Sequence, residues 1–321
     1  MSCRVAVLDI GSQTIRLVGA EIHEKCLRIL FSHRVNARLG QGLMGNGFIG
    51  KKAMKRAWSA LEKFREVIDD FSIDHVRAIG TAALRKASNR AQFIEHAKEI
   101  GIDIEVIDWN QEAELAVLGA YNAIGDVESP WTMIDVGGGS SEIAFCTDNK
   151  LLYGISLDIG AVSLLESISQ REVIDVDLLA NMAKRIVSKG LAKVPVPHAG
   201  LKVAVGTGGT ATTIAAVDLQ LGVYDPHRVR GHAVSISRLR YLLSSIGGLD
   251  LKKRRQVKGL EQERADIFPA GIAILTGIIS YLGLNKIIIS DGGLLSGLLA
   301  AFMQKECNFY VEPSCARSIY L

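Results

Sequence analysis

The stretch "IDVGGGSSEIAF", residues Ile134–Phe145, decides how this chain is read. An apolar run ends in Asp135, three consecutive glycines follow, and a second strand-like run starts at Glu142. Without Cβ atoms, Gly137, Gly138 and Gly139 let several backbone N–H groups converge into a concavity suited to an anion. Ser140 and Ser141 add hydroxyl donors. Asp135 and Glu142 bracket the loop, and carboxylates beside a bound phosphate make sense with a hard cation such as Mg2+ between them.

Outward from this loop, the amino-terminal segment "CRVAVLDIGSQTIRLVGAEI" (Cys3–Ile22) has the same form. The apolar run Val5–Leu8 ends in Asp9, Gly11 and Ser12, and then apolar residues resume. Alone, it reads as a tight turn between two strands. Strands over 4–10, 17–22 and 27–33 form a meander. A helix over 51–71 follows, with Met54, Ala57, Trp58, Leu61, Phe64, Ile68 and Phe71 at helical spacing. A strand at 76–80, a helix at 89–100, a strand at 104–107 and a helix at 111–124 complete the first half.

The second half repeats this order. Strands at 131–136, 142–146 and 151–156 lead into helices near 160–169 and 177–190. A strand at 202–205, helices at 235–246 and 265–282, a strand at 286–289 and a helix at 294–303 finish it. The pattern βββαβα therefore occurs twice, with Asp9 and Asp135 at matching places. It predicts two similar α/β domains with mixed sheets facing across a cleft, because both glycine loops fall at strand ends. The polar stretch 125–130, ending in Pro130, is the natural boundary.

Two more strand–glycine–helix junctions follow the same logic. "AVGTGGTATTIAA" (Ala204–Ala216) places Gly206, Thr207, Gly208, Gly209 and Thr210 at a helix start, where free amides and the helix dipole favour anions. It has no Walker lysine and is not a P-loop. "ISDGGLLSGLL" (Ile289–Leu299) carries Asp291 at a strand end. Any one such junction could be plain chain reversal; four over two similar halves point to a phosphate cleft.

In "DWNQEAELAVLGA", Glu112 and Glu114 stand two positions apart on a helix and face different ways. One can serve as a general base for water while the other is solvated. Arg85, in "GTAALRKASN", follows a buried strand and suits a phosphate clamp. "LKKRRQVKG" (Leu251–Gly259) reads either as solvated surface or as a track for a polyanion. His232 is open to structural and catalytic readings alike.

Composition sets outer limits. The chain has 321 residues, 48% apolar and 22% charged, enough for two domains with their own cores. A net charge of +3 does not by itself call for a polyanionic partner. Five cysteines (Cys3, Cys26, Cys146, Cys307, Cys315) contain no C-x-x-C pair, which favours reduced thiols. No secretory signal or membrane span is recognisable, so a soluble cytoplasmic protein is expected.

The motifs, in their order from residue 5 to about 300, resemble the exopolyphosphatase / guanosine-pentaphosphate phosphohydrolase family. That family is part of the larger group of actin, sugar kinases and chaperone ATPases. The carrying stretches are "VLDIGSQTIRL", "RLGQGL", "GTAALRKASN", "IEVIDWNQEAELAVLGA", "IDVGGGSSEIAF", "SLDIGAVSLLE", "AVGTGGTATTIAA", "ERADIFPAGIAIL" and "ISDGGLLSGLL". The resemblance implies two actin-like (ribonuclease H-like) domains, each with a five-stranded mixed sheet flanked by helices, and an active site in the cleft. It places domain I at 1–126, domain II at 127–299, and a final helix at about 300–312 returning to domain I. The long carboxy-terminal helical domain of larger members is not expected.

The activity so implied is Mg2+- or Mn2+-assisted hydrolysis of a terminal phosphoryl group from polyphosphate, preferably of short chains, or from pppGpp. Glu112 corresponds to the catalytic base. Asp9, Asp135 and Glu142 correspond to metal-side carboxylates. Ser12, Gln13, Arg85, Gly137–Ser140 and Gly206–Thr210 correspond to phosphate-contacting positions. A homodimer is expected, with no DNA or membrane partner. Three departures stand out: Gln13 for the usual Asn, Gln111 for the first Glu of an acidic pair, and Leu295-Ser296 for an Arg-Glu pair. Gln13, Gln111 and the missing helical domain motivate one alternative, a polyphosphate or nucleotide sensor with weak catalysis; an ATP-using phosphotransferase of the kinase branch is another.

Overall fold

The computed structural model describes residues 3–23, 26–125, 127–148, 150–168, 174–194, 196 and 200–307. The chain divides into two units, Met1–Gly125 with Gly292–Leu321, and Asp126–Asp291.

The first unit opens with strands β1 (Cys3–Ile10), β2 (Ile15–His23) and β3 (Cys26–Val35). Helices α1 (Leu43–Asn46) and α2 (Lys51–Asp70) follow, then β4 (His75–Gly80), α3 (Ala82–Lys86), α4 (Arg90–Glu99), β5 (Ile104–Val106) and α5 (Trp109–Ile124). The sheet order is β3-β2-β1-β4-β5. The β1–β2 and β2–β3 pairs are antiparallel, whereas β4 and β5 join in parallel. Val5–Leu8 are fully buried because β1 is central and covered on both faces. On α2, Ala53, Met54, Ala57, Leu61, Phe64 and Ile68 form the buried face. Phe71 lies just past the helix end and is 39% exposed, so the apolar stripe stops one turn earlier than its spacing predicts.

The second unit contains β6 (Trp131–Val136), β7 (Ser141–Thr147), β8 (Lys150–Leu157), α6 (Ala161–Ser167), α7 (Val176–Leu191), β9 (Val203–Thr207) and α8 (Gly208–Asp218). It continues with α9 (Pro226–Val229), β10 (Ala233–Ser235), α10 (Ile236–Gly247), α11 (Leu251–Arg254), a 3-10 turn at Gln262–Arg264, α12 (Phe268–Tyr281) and β11 (Lys286–Ile289). Its sheet has six strands, not five, in the order β10-β11-β9-β6-β7-β8. The extra strand, β10, is three residues long and pairs antiparallel with β11. So short a strand leaves no readable alternation in the sequence.

After β11 the chain returns to the first unit as α13 (Leu294–Cys307). The division therefore falls after Asp291, and the expected boundary at 299 lies inside α13. The cause is close packing of α13 on α5. A Cβ on Gly119 would strike the Gly293 carbonyl, and one on Gly297 would strike the Leu115 carbonyl. Positions 308–312 of the expected final helix lie outside the described residues. Among the described residues no helix is long and apolar enough to cross a membrane. Cys3, expected as a reduced thiol, is disulfide-bonded, whereas Cys146 is free and buried. Pairing depends on which Cα atoms the fold brings within about 4.4–6.8 Å, and sequence spacing does not report that.

Candidate phosphate-binding and catalytic residues

The two Asp-x-Gly loops are the same turn built twice. Gly11 N–H donates to the Thr14 carbonyl at 2.9 Å, and Gly137 N–H donates to the Ser140 carbonyl at 3.0 Å. Each loop also has its carbonyls held from behind. In the first unit, the Arg38 and Gly40 amides donate to the Gln13 and Ser12 carbonyls at 2.9 and 2.8 Å. In the second unit, the Ala161 and Val162 amides at the start of α6 donate to the Gly137 and Gly138 carbonyls at 2.8 and 2.9 Å. With carbonyls occupied, the amides of Ser12 and Gln13, and of Gly138, Gly139 and Ser140, donate to no described group. That is the hydrogen-bond pattern of an anion-binding loop.

The carboxylates beside the loops have opposite surroundings. Asp9 is paired in register with Arg16, so both side chains stand on one face of the sheet. The Asp9 Oδ2 accepts from Arg16 Nη2 at 2.7 Å and from Nε at 3.2 Å. Its Oδ1 is buried without a partner, as are both amide atoms of Gln13. Asp135 is paired in register with Glu142, two like charges across the strands. Glu142 is 6% exposed, and its Oε1 accepts from Ser156 Oγ at 3.0 Å. Like charges directly opposite each other destabilise a sheet, and a cation beside them relieves that.

Thr207, Gly208 and Gly209 form the start of α8. Gly208 has φ +74°, and a Cβ there would strike the Asp135 carboxylate. Only glycine satisfies both conditions. The Thr207 hydroxyl is buried and unpaired. Thr210 has a different role: its hydroxyl donates to the Val136 carbonyl at 2.7 Å, tying α8 to the end of β6. Gly206 belongs to the sheet, in register with Ile134 on one side and Ile289 on the other. A Cβ on Gly206 would lie 2.7 Å from the Ile287 Cδ1, so its glycine serves packing.

Glu112 lies in the first turn of α5. Its Oε2 accepts from Arg85 Nη1 at 2.6 Å, and the same nitrogen donates to the Ile107 carbonyl at 3.0 Å. Arg85 and Glu112, from separate motifs of the sequence, thus form one ion pair. The Glu112 side chain is 14% exposed; Glu114 faces solvent, as its position two residues on predicts. Two of the departures have structural explanations. Asp108 and Gln111 form a reciprocal capping box at the start of α5, at 2.9 and 3.0 Å. Ser296 Oγ accepts from the Gly293 N–H at 2.9 Å at the start of α13. Gln111 stands third in α5, where Gln and Glu are interchangeable as acceptors, and the Ser296 hydroxyl accepts at the third position of α13.

Two cations near the loops were not singled out in the sequence. Arg16 could be found from its spacing: in a hairpin with a four-residue loop, it falls opposite Asp9. Arg264, whose guanidinium lies against Gly209, comes from a distant turn and left no local signal. The basic run divides. Arg254 is 2% exposed and donates to the Ile246, Gly247, Leu249 and Ala265 carbonyls, so it holds the fold together. Burial lowers its pKa, against Asp266 and Asp250, which raise it. His232 pairs with Asp218 at 2.7 Å, alongside Arg238.

Among the described residues no cluster of three or more His, Cys, Asp or Glu is arranged to hold a metal. The Asp135–Glu142 pair instead suits Mg2+, which is commonly held by one or two carboxylates plus substrate phosphates and water.

A model of the Ppx/GppA phosphatase family matches residues 18–306. A Ppx/GppA family member from Aquifex aeolicus is 30% identical, with a TM-score of 0.80 over 95% of this chain and 99% of that one. An exopolyphosphatase from Cytophaga hutchinsonii is 26% identical, with a TM-score of 0.86 over 94% of this chain and 98% of that one. The two mixed α/β units described above are the actin-like architecture of these relatives.

Proposed function

The chain belongs to the Ppx/GppA phosphatase family, and from that premise we propose that it releases terminal orthophosphate from short polyphosphate or pppGpp. The observation that carries this reading is the Arg85–Glu112 ion pair at the first turn of α5. It fixes one carboxylate in a held orientation at a helix start, as a general base requires.

In this mechanism Glu112 orients and deprotonates the attacking water, and Arg85 sets the carboxylate's position. The amides of Ser12 and Gln13, of Gly138–Ser140 and of the α8 start receive the phosphoryl oxygens, where charge builds during transfer. Asp135 and Glu142 are the residues that would hold Mg2+ or Mn2+, which would neutralise phosphate charge when bound. The Gln13 amide, buried and unpaired, supplies a donor and an acceptor at the same loop.

The sensor alternative rests in part on Gln13 and Gln111. Gln111 and Ser296 both serve as helix caps, which gives those substitutions a structural explanation and leaves Glu112 in place. A phosphate-release assay with tripolyphosphate, long polyphosphate, pppGpp and ATP, each with Mg2+, tests the proposal. Phosphate from the first three, and little from ATP, is the expected result. Transfer from ATP to an acceptor without free phosphate would instead establish a kinase.

A further inference from the structure

The basic run Leu251–Gly259 belongs to a longer stretch that phosphate release leaves unused. Residues 226–260 hold nine Lys and Arg against a single acid, Asp250, a net of +8 that leaves −5 on the rest of a chain totalling +3. Arg230, Arg238 and Arg254 are engaged within the fold, by Asp291, by Asp218 and by backbone carbonyls. Arg228, Arg240, Lys252, Arg255 and Lys258 are exposed, and among the described residues none of the five pairs with a carboxylate.

Local structure brings three of these five together. Arg254 donates to the Ile246, Gly247 and Leu249 carbonyls and so seats α11 on the last turn of α10. Lys252 and Arg255 therefore stand at that helix end, about 10 Å along the axis from Arg240. α10 buries Leu239, Leu242, Leu243 and Ile246. At about 100° per residue the opposite face centres on Tyr241, with Arg238 and Arg240 to either side. Tyr241 is 57% exposed. The Arg238 guanidinium lies 4.8 Å from its ring centroid and is itself held by Asp218, which gives the ring a fixed backing. Asp218 is the last residue of α8, about 15 Å along that helix from Gly208 and the amides assigned to phosphate.

We propose that the outward face of α10, together with α11, docks single-stranded RNA, with phosphates on Arg240, Lys252 and Arg255 and a base stacked on Tyr241. Cations and an exposed aromatic ring on one surface select this partner. A chain of phosphates alone uses the cations and gains nothing from the ring, whereas any unpaired base has a face to stack on it. An anionic membrane is also attracted by cations, but the face presents Ser237, Ser244 and Ser245 where an inserting surface carries large apolar side chains. Ser244 Oγ donates to the Tyr241 carbonyl at 3.0 Å, and its oxygen can accept from a ribose 2′-hydroxyl, which DNA lacks.

Fluorescence anisotropy of a labelled oligouridylate of about 15 nucleotides, titrated with the full chain, tests this. Binding is expected with a Kd of about 10 µM or tighter at about 50 mM salt. Tyr241→Ala should weaken it about tenfold and Tyr241→Phe should not, which separates stacking from folding. Combining Arg240→Gln, Lys252→Gln and Arg255→Gln should lower the slope of log affinity against log salt by about 2. All these variants should keep the parent's melting temperature and its tripolyphosphate hydrolysis. No binding of the oligouridylate by the parent chain overturns the proposal, however the variants behave. So does unchanged RNA affinity in Tyr241→Ala, equal affinity for the matching oligodeoxyuridylate, or binding to phosphatidylglycerol vesicles without binding to the oligouridylate.

Discussion

Arg16 and Glu142 stand at the same place in two hairpins that otherwise repeat each other. Each lies directly across the strands from its loop's aspartate, Asp9 in one case and Asp135 in the other. One hairpin carries its own counter-charge, and the other doubles the negative charge. The two halves of a repeated motif have thus acquired different electrostatic tasks.

Removing Arg16 should leave a buried carboxylate poorly compensated. Arg16→Met is expected to destabilise the first unit by about 1.5–3 kcal/mol, the usual worth of a hydrogen bond to a charged group. Asp9→Asn combined with Arg16→Met should cost less than the sum of the single changes. Urea denaturation in a double-mutant cycle reads the coupling, and strict additivity would show that the pair is not energetically linked.

Replacing Glu112 with Gln keeps the shape and the Arg85 contact but removes the base. Turnover should fall by about two orders of magnitude or more, with far-UV dichroism and melting temperature close to those of the parent. Phosphate release at the parent's rate would remove Glu112 from the mechanism.

Gly208 meets two separate demands, a left-handed backbone and contact with Asp135. Gly208→Ala should cost about 1–2 kcal/mol from the backbone alone, and more from the collision. Its effect on KM for phosphate substrates should exceed that of Gly45→Ala, where a Cβ would meet nothing within 4 Å. Matching kinetics for the two variants would contradict the role given to the α8 start.

The cap at the start of α5 separates a structural from a catalytic role for Gln111. Gln111→Glu preserves an acceptor for the Asp108 N–H and should leave stability nearly unchanged. Gln111→Ala loses that bond and should destabilise by about 0.5–1.5 kcal/mol in thermal or chemical melts. Equal stability of the two variants would dismiss the capping account.

Asp218 provides a pH signature. Burial raises its pKa, but hydrogen bonds and charge from Arg238 and His232 outweigh that and hold it below the ordinary carboxylate value. A depressed carboxylate stabilises the folded chain above its unfolded pKa and loses that contribution as pH falls through the folded one. The stability gap between the parent and Asp218→Asn should be steady near neutrality and shrink below about pH 4. A gap that widens in acid would reverse the assignment.

Much of this arrangement was legible in the sequence, for physical reasons. Asp9 and Asp135, each followed by small residues between apolar runs, mark strand ends and turns, and the structure has both hairpins there. The faces of α2 and α5 follow from helical spacing. Contacts made by single residues across long separations were not legible. Arg254 looks like its basic neighbours but turns inward from a four-residue helix, too short to show a periodic face. The position of Arg264 over Gly209 depends on how the turn at Gln262–Arg264 packs, which no local pattern encodes.

The return of α13 to α5 has a consequence for synthesis on the ribosome. Residues 126–291 are continuous and can close their own core as soon as they emerge. The unit that begins the chain cannot finish, because the helix that seats its Gly293 and Gly297 against α5 is made only after the other unit is complete. The half translated second is therefore the one able to mature first, and the surface of α5 carrying Leu115 and Gly119 waits uncovered until α13 arrives.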